Sequence, residues 1–161
     1  MRLIVLTTML LASCATVHAP LSDESITGAW ECGPTTMHGP DFDVVVTTRN
    51  TNNADHTYSS LSTSIITPHG QVAVTNQAID HGTWRLETDV ITFTVERVQF
   101  LSSSDPTFSN TLGQQIEDAQ LKKKSVYRYR MLHFDGNTSR SVPVDPMYKE
   151  AEVESSCRRI Q

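Results

Sequence analysis

The clearest structural pattern in this chain is the segment Gly82-Thr-Trp-Arg-Leu-Glu-Thr-Asp-Val-Ile-Thr-Phe-Thr-Val95. Its first half alternates the apolar Trp84 and Leu86 with charged residues, and its second half alternates three apolar residues with threonines. A period of two is typical of a strand that has one dry face and one wet face. Because Thr88-Asp89 separates the halves with the length of a tight turn, the stretch predicts a β-hairpin.

Short segments rich in β-branched residues lie on both sides of this hairpin, separated by turn residues, which is typical of an all-β domain. Gly33-Pro34 and His38-Gly39-Pro40 predict a turn after the first segment, and Asp135-Gly136 predicts another. One helix is expected over residues 114–124, after a polar loop at 101–112. The predicted strands cover residues 26–32, 42–48, 58–66, 72–74 and onwards, 82–87, 90–95, 126–134, 139–144 and 153–160.

Eight or nine strands in meander order need their edges hidden, and closing the sheet into a barrel removes the edges. Gly28-Ala-Trp30 opens the first segment and Gly82-Thr-Trp84 opens the hairpin. With the strand order, these pieces resemble the lipocalin-like lipoproteins and small calycin-type barrels across residues 26–160. The resemblance implies an all-β, antiparallel meander that closes into a small barrel of eight or nine strands with one short helix; a β-sandwich is the alternative.

The rest of the lipocalin signature is absent from this chain, so the resemblance assigns no pocket residues and the ligand-binding residues stay unknown. Trp30 and Trp84 are expected to be core residues in preference to ligand contacts. The two tryptophans therefore support the fold prediction without identifying a site.

The first residues have the pattern of an export signal. One positive charge at Arg2 precedes an apolar run from Leu3 to Leu11, which is too short to cross a membrane as a helix, since that takes roughly 20 residues. The following Leu11-Ala12-Ser13-Cys14 resembles the bacterial lipobox. That resemblance implies acylation of Cys14, with palmitate among the acyl chains, and cleavage before it. Residues 1–13 would be a signal peptide, 14–25 a lipidated tether and 26–161 a single domain.

Location follows from the same motif. Ala15, in place of an aspartate, resembles outer-membrane sorting, so we expect a lipid-anchored protein of the bacterial envelope that faces the periplasm. Cleavage after Ala19 would instead give a soluble exported protein, and a chance apolar start would leave the chain in the cytoplasm. The net charge of -5 argues against nucleic-acid partners, which need clustered basic residues.

The chain has three cysteines, Cys14, Cys32 and Cys157. If Cys14 carries lipid, two thiols remain, and an oxidising periplasm favours a Cys32–Cys157 disulfide. Two buried free thiols are the alternative. A metal or redox site is less favoured, because no Cys-x-x-Cys motif is present and no histidine pair at ligand spacing lies beside either cysteine.

No motif in the sequence names a reaction. There is no Gly-x-Ser-x-Gly elbow and no glycine-rich phosphate loop. The six histidines are at no ligand spacing, although His38 with Asp41 and Asp43 could gather a cation. We therefore expect no cofactor, no metal and no catalytic residue; a cluster of His38, His56 or His81 with carboxylates would favour an enzyme instead.

Two functions remain for a non-catalytic barrel. The first is the binding of a lipid or an apolar small molecule. The second is a role as a protein-interaction accessory or inhibitor subunit of an envelope assembly, with loops 33–41, 49–56 and 101–113 as the contact surface. An open interior would favour the first function, and a filled core would favour the second.

Overall fold

A computed structural model describes residues 20–146 and 148–161, in which eight antiparallel strands follow one another in meander order and close into a barrel. This confirms the all-β prediction and its barrel form rather than the sandwich. The strands are β1 (Gly28–His38), β2 (Phe42–Asn52), β3 (Thr57–Pro68), β4 (Val74–Glu87), β5 (Val90–Ser103), β6 (Val126–Phe134), β7 (Thr138–Pro143) and β8 (Ser155–Ile160). The helices are α1 (Asp23–Ile26), α2 (Asn110–Lys123) and a 3-10 turn at Lys149–Ala151.

The hairpin predicted at residues 82–95 is confirmed. Its strands pair from Gly82 with Val95 to Glu87 with Val90, and Thr88 takes the left-handed conformation, with φ of 58°, that the tight turn requires. The two strands run further than the alternation showed, because β4 starts at Val74 and β5 ends at Ser103. The segment predicted as a separate fourth strand is thus the first half of β4.

The predicted turn at Gly33-Pro34 is wrong, because β1 continues through it to His38. The register between β1 and β2 shifts between Cys32 and Thr35, which marks a bulge at this point. A bulge leaves a residue out of the ladder, so Pro34, which has no N–H to donate, fits inside the strand there. The turn lies instead at residues 39–41.

Helix α2 begins at Asn110, so the loop predicted at 101–112 is shorter than expected. Strand β5 pairs with β6 only over Val90–Thr94, and α2 covers the remaining edge. The Gln114 side chain donates to the Val98 carbonyl at 3.0 Å and accepts from the Phe100 N–H at 2.9 Å. The helix thereby satisfies strand groups that would otherwise lack partners.

One end of the barrel is closed by packing. The chain before β1 forms α1 instead of the strand predicted from residue 26, and Ile26 packs against Tyr58 and Trp84, each less than 5% exposed. Leu21 also packs against this core, so the last residues assigned to the tether contact the barrel. The turns β2–β3, β4–β5 and β6–β7 lie at this end, which we call the closed end.

The predicted disulfide is present. Cys32 of β1 and Cys157 of β8 are register partners and are joined by a 2.03 Å S–S bond. The bond therefore lies across the two strands that close the barrel, 125 residues apart in sequence. The alternative of two buried free thiols is therefore wrong for this pair.

Cys14 and the lipobox lie outside the described residues. Neither α1 nor α2 has both the length and the apolar character that a membrane-crossing helix needs, within the part of the chain that the structure describes.

Candidate functional site in the barrel interior

The barrel encloses a cavity of about 640 Å³ instead of a filled core. Within residues 20–146 and 148–161, no large side chain is less than 2% exposed. Small-molecule sites in proteins are typically roughly 300–1,000 Å³ in volume. The space is therefore large enough for a ligand of moderate size.

One wall of the cavity is polar. The strand β3 directs Ser60, Ser62 and Ser64 inward, whereas its apolar Leu61 and Ile65 lie on the outer face. The adjacent strand β2 adds Thr48, Asn50 and Asn52, and β7 and β8, on another side of the barrel, add Ser139, Ser141 and Ser155. The sequence showed this alternation without showing which face was inside.

The wall formed by β5 and β6 is apolar and aromatic. Strand β5 contributes Ile91, Phe93 and Val95, and β6 contributes Tyr127 and Tyr129. Phe93 packs edge-on to both Tyr58 and Tyr129, with ring centroids 4.9 and 6.3 Å apart. Edge-to-face packing of this kind fixes ring orientation, so the wall is preorganised.

A carboxyl group, Asp80 of β4, faces into the cavity near the closed end. It accepts a hydrogen bond from the Tyr58 hydroxyl at 2.7 Å. Burial raises the pKa of Asp80 above its usual range, although the Tyr58 hydrogen bond acts in the opposite direction. Burial and the nearby carboxyl also raise the pKa of Tyr58, which keeps its hydroxyl protonated as the donor.

A second carboxyl group enters from α2, whose Glu117 lines the same cavity. Burial raises the pKa of Glu117, and the negative charge of Asp80 raises it further. Two acidic groups therefore share one partly desolvated space, where each disfavours the ionised form of the other.

The basic residues of the cavity wall lie apart from this pair, where α2 meets the chain after β7. Lys124 and Arg128 both reach Asp145, with N–O distances of 3.6 and 3.5 Å. Lys124 also donates to the Asp145 carbonyl. These cations are thus held by another carboxylate.

The two tryptophans take different positions. Trp84 is 2% exposed, donates to the Asn53 carbonyl at 3.1 Å and belongs to the closed-end core, as expected. Trp30 is also buried, but one side of it lines the cavity. The guanidinium of Arg159 lies 4.5 Å from the centre of the Trp30 ring and, together with the Trp30 indole bond to the Ile26 carbonyl, fixes the cavity floor.

The candidate cation site at residues 38–43 does not form a metal-binding group. His38 contacts Asp43 at 2.8 Å, while Asp41 offers only its carbonyl, to the His69 N–H. His56 lies by Asp23 and over Trp84, and His81 lines no part of the cavity. Within the described residues, no cluster of three or more His, Cys, Asp or Glu residues could hold a metal ion.

No protein-family model and no curated protein matches this chain. The cavity and its lining are therefore the features from which a function is inferred. Sequence reasoning missed both carboxyls. The only signal was Asp80 within a strand, two residues after Ala78 on the same face, because a charge at an inward position breaks the usual pattern.

Proposed function

We propose that the protein is a lipid-anchored binding protein of the bacterial envelope that holds a small amphipathic molecule inside its barrel, with no catalytic role. The observation that carries this proposal is the cavity of about 640 Å³, which is lined by polar side chains of β2, β3, β7 and β8 and by apolar side chains of β5 and β6. A barrel that served only as a scaffold would gain stability by filling this space with side chains. The inward-facing serines leave this space unfilled, so the barrel lacks that stabilisation. A ligand with polar and apolar parts explains why such a lining is present.

The fold supports a lipocalin-like relationship. The eight-stranded meander has the order that the Gly-x-Trp pieces implied, and Trp30 lies at the closed end of the barrel. A barrel of this size leaves interior room for one small ligand. The relationship is an analogy of architecture and gives no ligand identity.

The anchor is proposed from Leu11-Ala12-Ser13-Cys14 and Ala15, which favour acylation and the outer membrane. Two or more acyl chains would hold the barrel stably at the bilayer surface. Metabolic labelling with a clickable palmitate analogue tests this. We expect label in the membrane fraction for the natural chain and neither label nor membrane retention for Cys14→Ser; an unlabelled natural chain would contradict the anchor.

Ligand binding is tested with two matched variants of the Cys14→Ser chain, which lacks acyl groups that could enter the barrel. Ser62→Phe adds a ring inside the cavity, and Thr63→Phe adds the same ring to the outer face of β3. Each protein is incubated with an envelope lipid extract, purified again and measured by native mass spectrometry. We expect a one-to-one adduct for the parent and Thr63→Phe, and loss of the adduct for Ser62→Phe.

An equal adduct in both phenylalanine variants would place binding outside the barrel. No adduct in any of the three proteins would contradict the proposed function.

A partner protein is the second candidate, because apolar side chains are exposed opposite the closed end. Val72 is 86% exposed and Phe42 44% exposed, and the turn that carries Val72 is joined to the turn before Phe42 by the His69 N–H to Asp41 carbonyl bond. Crosslinking in intact cells compares the natural chain with Val72→Asp. A crosslinked envelope protein that is lost in Val72→Asp would favour an accessory role.

A further inference from the structure

We propose that the occupant of the barrel is a cationic amphiphile, whose ammonium group lies between Asp80 and Glu117 and whose apolar body lies on the β5–β6 wall. This inference rests on the proposed function, since it names the chemical class of ligand for the same cavity. The volume of the cavity admits amines, alcohols and acids equally. The charged and polar groups of the lining therefore indicate the chemical class of the ligand.

The first argument is the balance of charge. Asp80 of β4 and Glu117 of α2 both line the cavity, and no Lys, Arg or His forms an ion pair with either of them in the described part of the chain. Lys124 and Arg128 are paired with Asp145. His81 lowers the pKa of Asp80 through its charge but lines no part of the cavity, so the lining between strand and helix has two acidic groups and no protein cation paired with them in the described residues.

Two ionised carboxylates in a partly buried space cost free energy when no cation pairs with them. A buried charge is strongly disfavoured unless it is paired and hydrogen-bonded. Burial and the negative charges of Asp80 and Asp118 accordingly raise the pKa of Glu117. An ammonium group would supply the missing positive charge and three N–H donors, so both carboxyls could be ionised and satisfied at once.

Another buried polar side chain of the cavity wall has an atom without a partner. Asn52 of β2 is 5% exposed and lines the cavity. Its Nδ2 donates to the Ile26 carbonyl, whereas its Oδ1 is buried without a hydrogen-bond partner in the described structure. Asn52 is the register partner of Tyr58, whose hydroxyl donates to Asp80. The unfilled acceptor is therefore on the strand next to β3, whose Tyr58 holds the Asp80 carboxyl.

The rest of the lining fits the remainder of such a ligand. Phe93, Tyr127 and Tyr129 present ring surface to the cavity, on which an alkyl or aromatic body can pack. The tyrosine faces also attract a cation that lies within about 6 Å of the ring centroid. A carboxylate ligand would meet repulsion from both acids, so the lining disfavours fatty acids.

The test compares decylamine, decanol and decanoate, which share one alkyl chain and differ in head-group charge near pH 7. Binding to the Cys14→Ser chain is measured by calorimetry with EDTA present, below the micellar concentration of each compound. We expect decylamine to bind about tenfold or more tightly than decanol, and decanoate to bind most weakly.

Three variants then locate the head group. Asp80→Asn and Glu117→Gln are each expected to weaken decylamine binding about tenfold and to leave decanol binding unchanged. Glu87→Gln, which removes an exposed carboxylate of β4 outside the cavity, is the matched control and should bind as the parent does. Because Glu117 and Asp80 lie on different elements, a folding defect in one variant does not affect the other.

This inference would be overturned if decylamine and decanol bound with equal affinity, or if both cavity variants kept the preference for the amine. In either case, binding of decanol would still support the proposed function. Failure of all three compounds to bind would overturn both.

Discussion

The two halves of the barrel interior obey different rules. At the closed end, Ile26, Tyr58 and Trp84 pack into a dense apolar core, as hydrophobic burial dictates. Beyond it, serines and the Asp80 carboxyl line open space. The closed end therefore maintains the fold, whereas the cavity is packed less densely than stability alone would favour. Departures of this kind are expected where a protein has a function to perform.

The largest effect is expected at the disulfide, which joins β1 to β8 alongside both regions. The double variant Cys32→Ala/Cys157→Ala should lose close to 5 kcal/mol of unfolding free energy, because the bond closes a very long loop. Denaturant unfolding of the oxidised parent and the variant measures this loss. Equal midpoints would show that the barrel closes without the bond.

The closed end itself is tested by Trp84→Ala, which removes a side chain only 2% exposed. A buried tryptophan replaced by alanine should cost about 3–5 kcal/mol. Val46→Ala, on the cavity wall, is the contrasting change and should cost less than about 1 kcal/mol, since open space already lies beside it. Similar losses in the two variants would remove the distinction between the regions.

The substitution Asp80→Asn, in the cavity, should raise the stability of the protein, whereas the preceding changes lower it. Burial raises the pKa of Asp80 in the folded state, so the folded protein binds its proton more tightly than the unfolded chain does. Its contribution to stability is full below the unfolded pKa and falls as pH rises through the folded pKa. Asparagine keeps an acceptor for Tyr58 and should stabilise the ligand-free protein by about 0.5–2 kcal/mol at neutral pH.

Thermal melts over a pH series, with Glu87→Gln as the control, check this gain. A loss of stability in Asp80→Asn at neutral pH would show that the carboxylate serves the fold instead of a ligand.

The smallest effect is expected at a turn of the closed end. Asp135 accepts hydrogen bonds from the N–H groups of Asn137 and Thr138 and from the Thr138 hydroxyl, which hold its pKa well below the usual range. Its stabilisation is therefore present above the unfolded pKa of aspartate and is lost as pH falls. Asp135→Ala should lower the melting temperature slightly at neutral pH and not at strongly acidic pH.

Asp89→Ala, at the neighbouring β4–β5 turn, is the control for that melt. A loss for Asp135→Ala that persisted unchanged in acid would contradict the role given to its charge.

Sequence reasoning reached most of the fold, because alternation and turn chemistry are local signals. It predicted the hairpin, the meander and the Cys32–Cys157 pair. It failed at Gly33-Pro34, where pairing of β1 with β2 before and after this point overrides a local turn signal by absorbing Pro34 in a bulge.

The candidate site was beyond the reach of the sequence for a different reason. The sequence of β3 alternates serines with apolar residues, and this period of two is the same whichever face lies inside. Which face points inward depends on how the barrel closes. Asp80 and Glu117 are 37 residues apart and meet only because α2 covers the unpaired edge of β5. No local pattern encodes that meeting.

The central claim is that the barrel interior is open space held by a separate packed core, and Ser62→Phe tests it most directly. An inserted ring costs about 1–3 kcal/mol in a well-packed core. Equilibrium unfolding of the ligand-free Cys14→Ser chain, with and without this substitution, should show a loss below about 0.5 kcal/mol or a gain, since the ring enters existing space. A loss within the overpacking range would show that the interior is filled and would contradict the account.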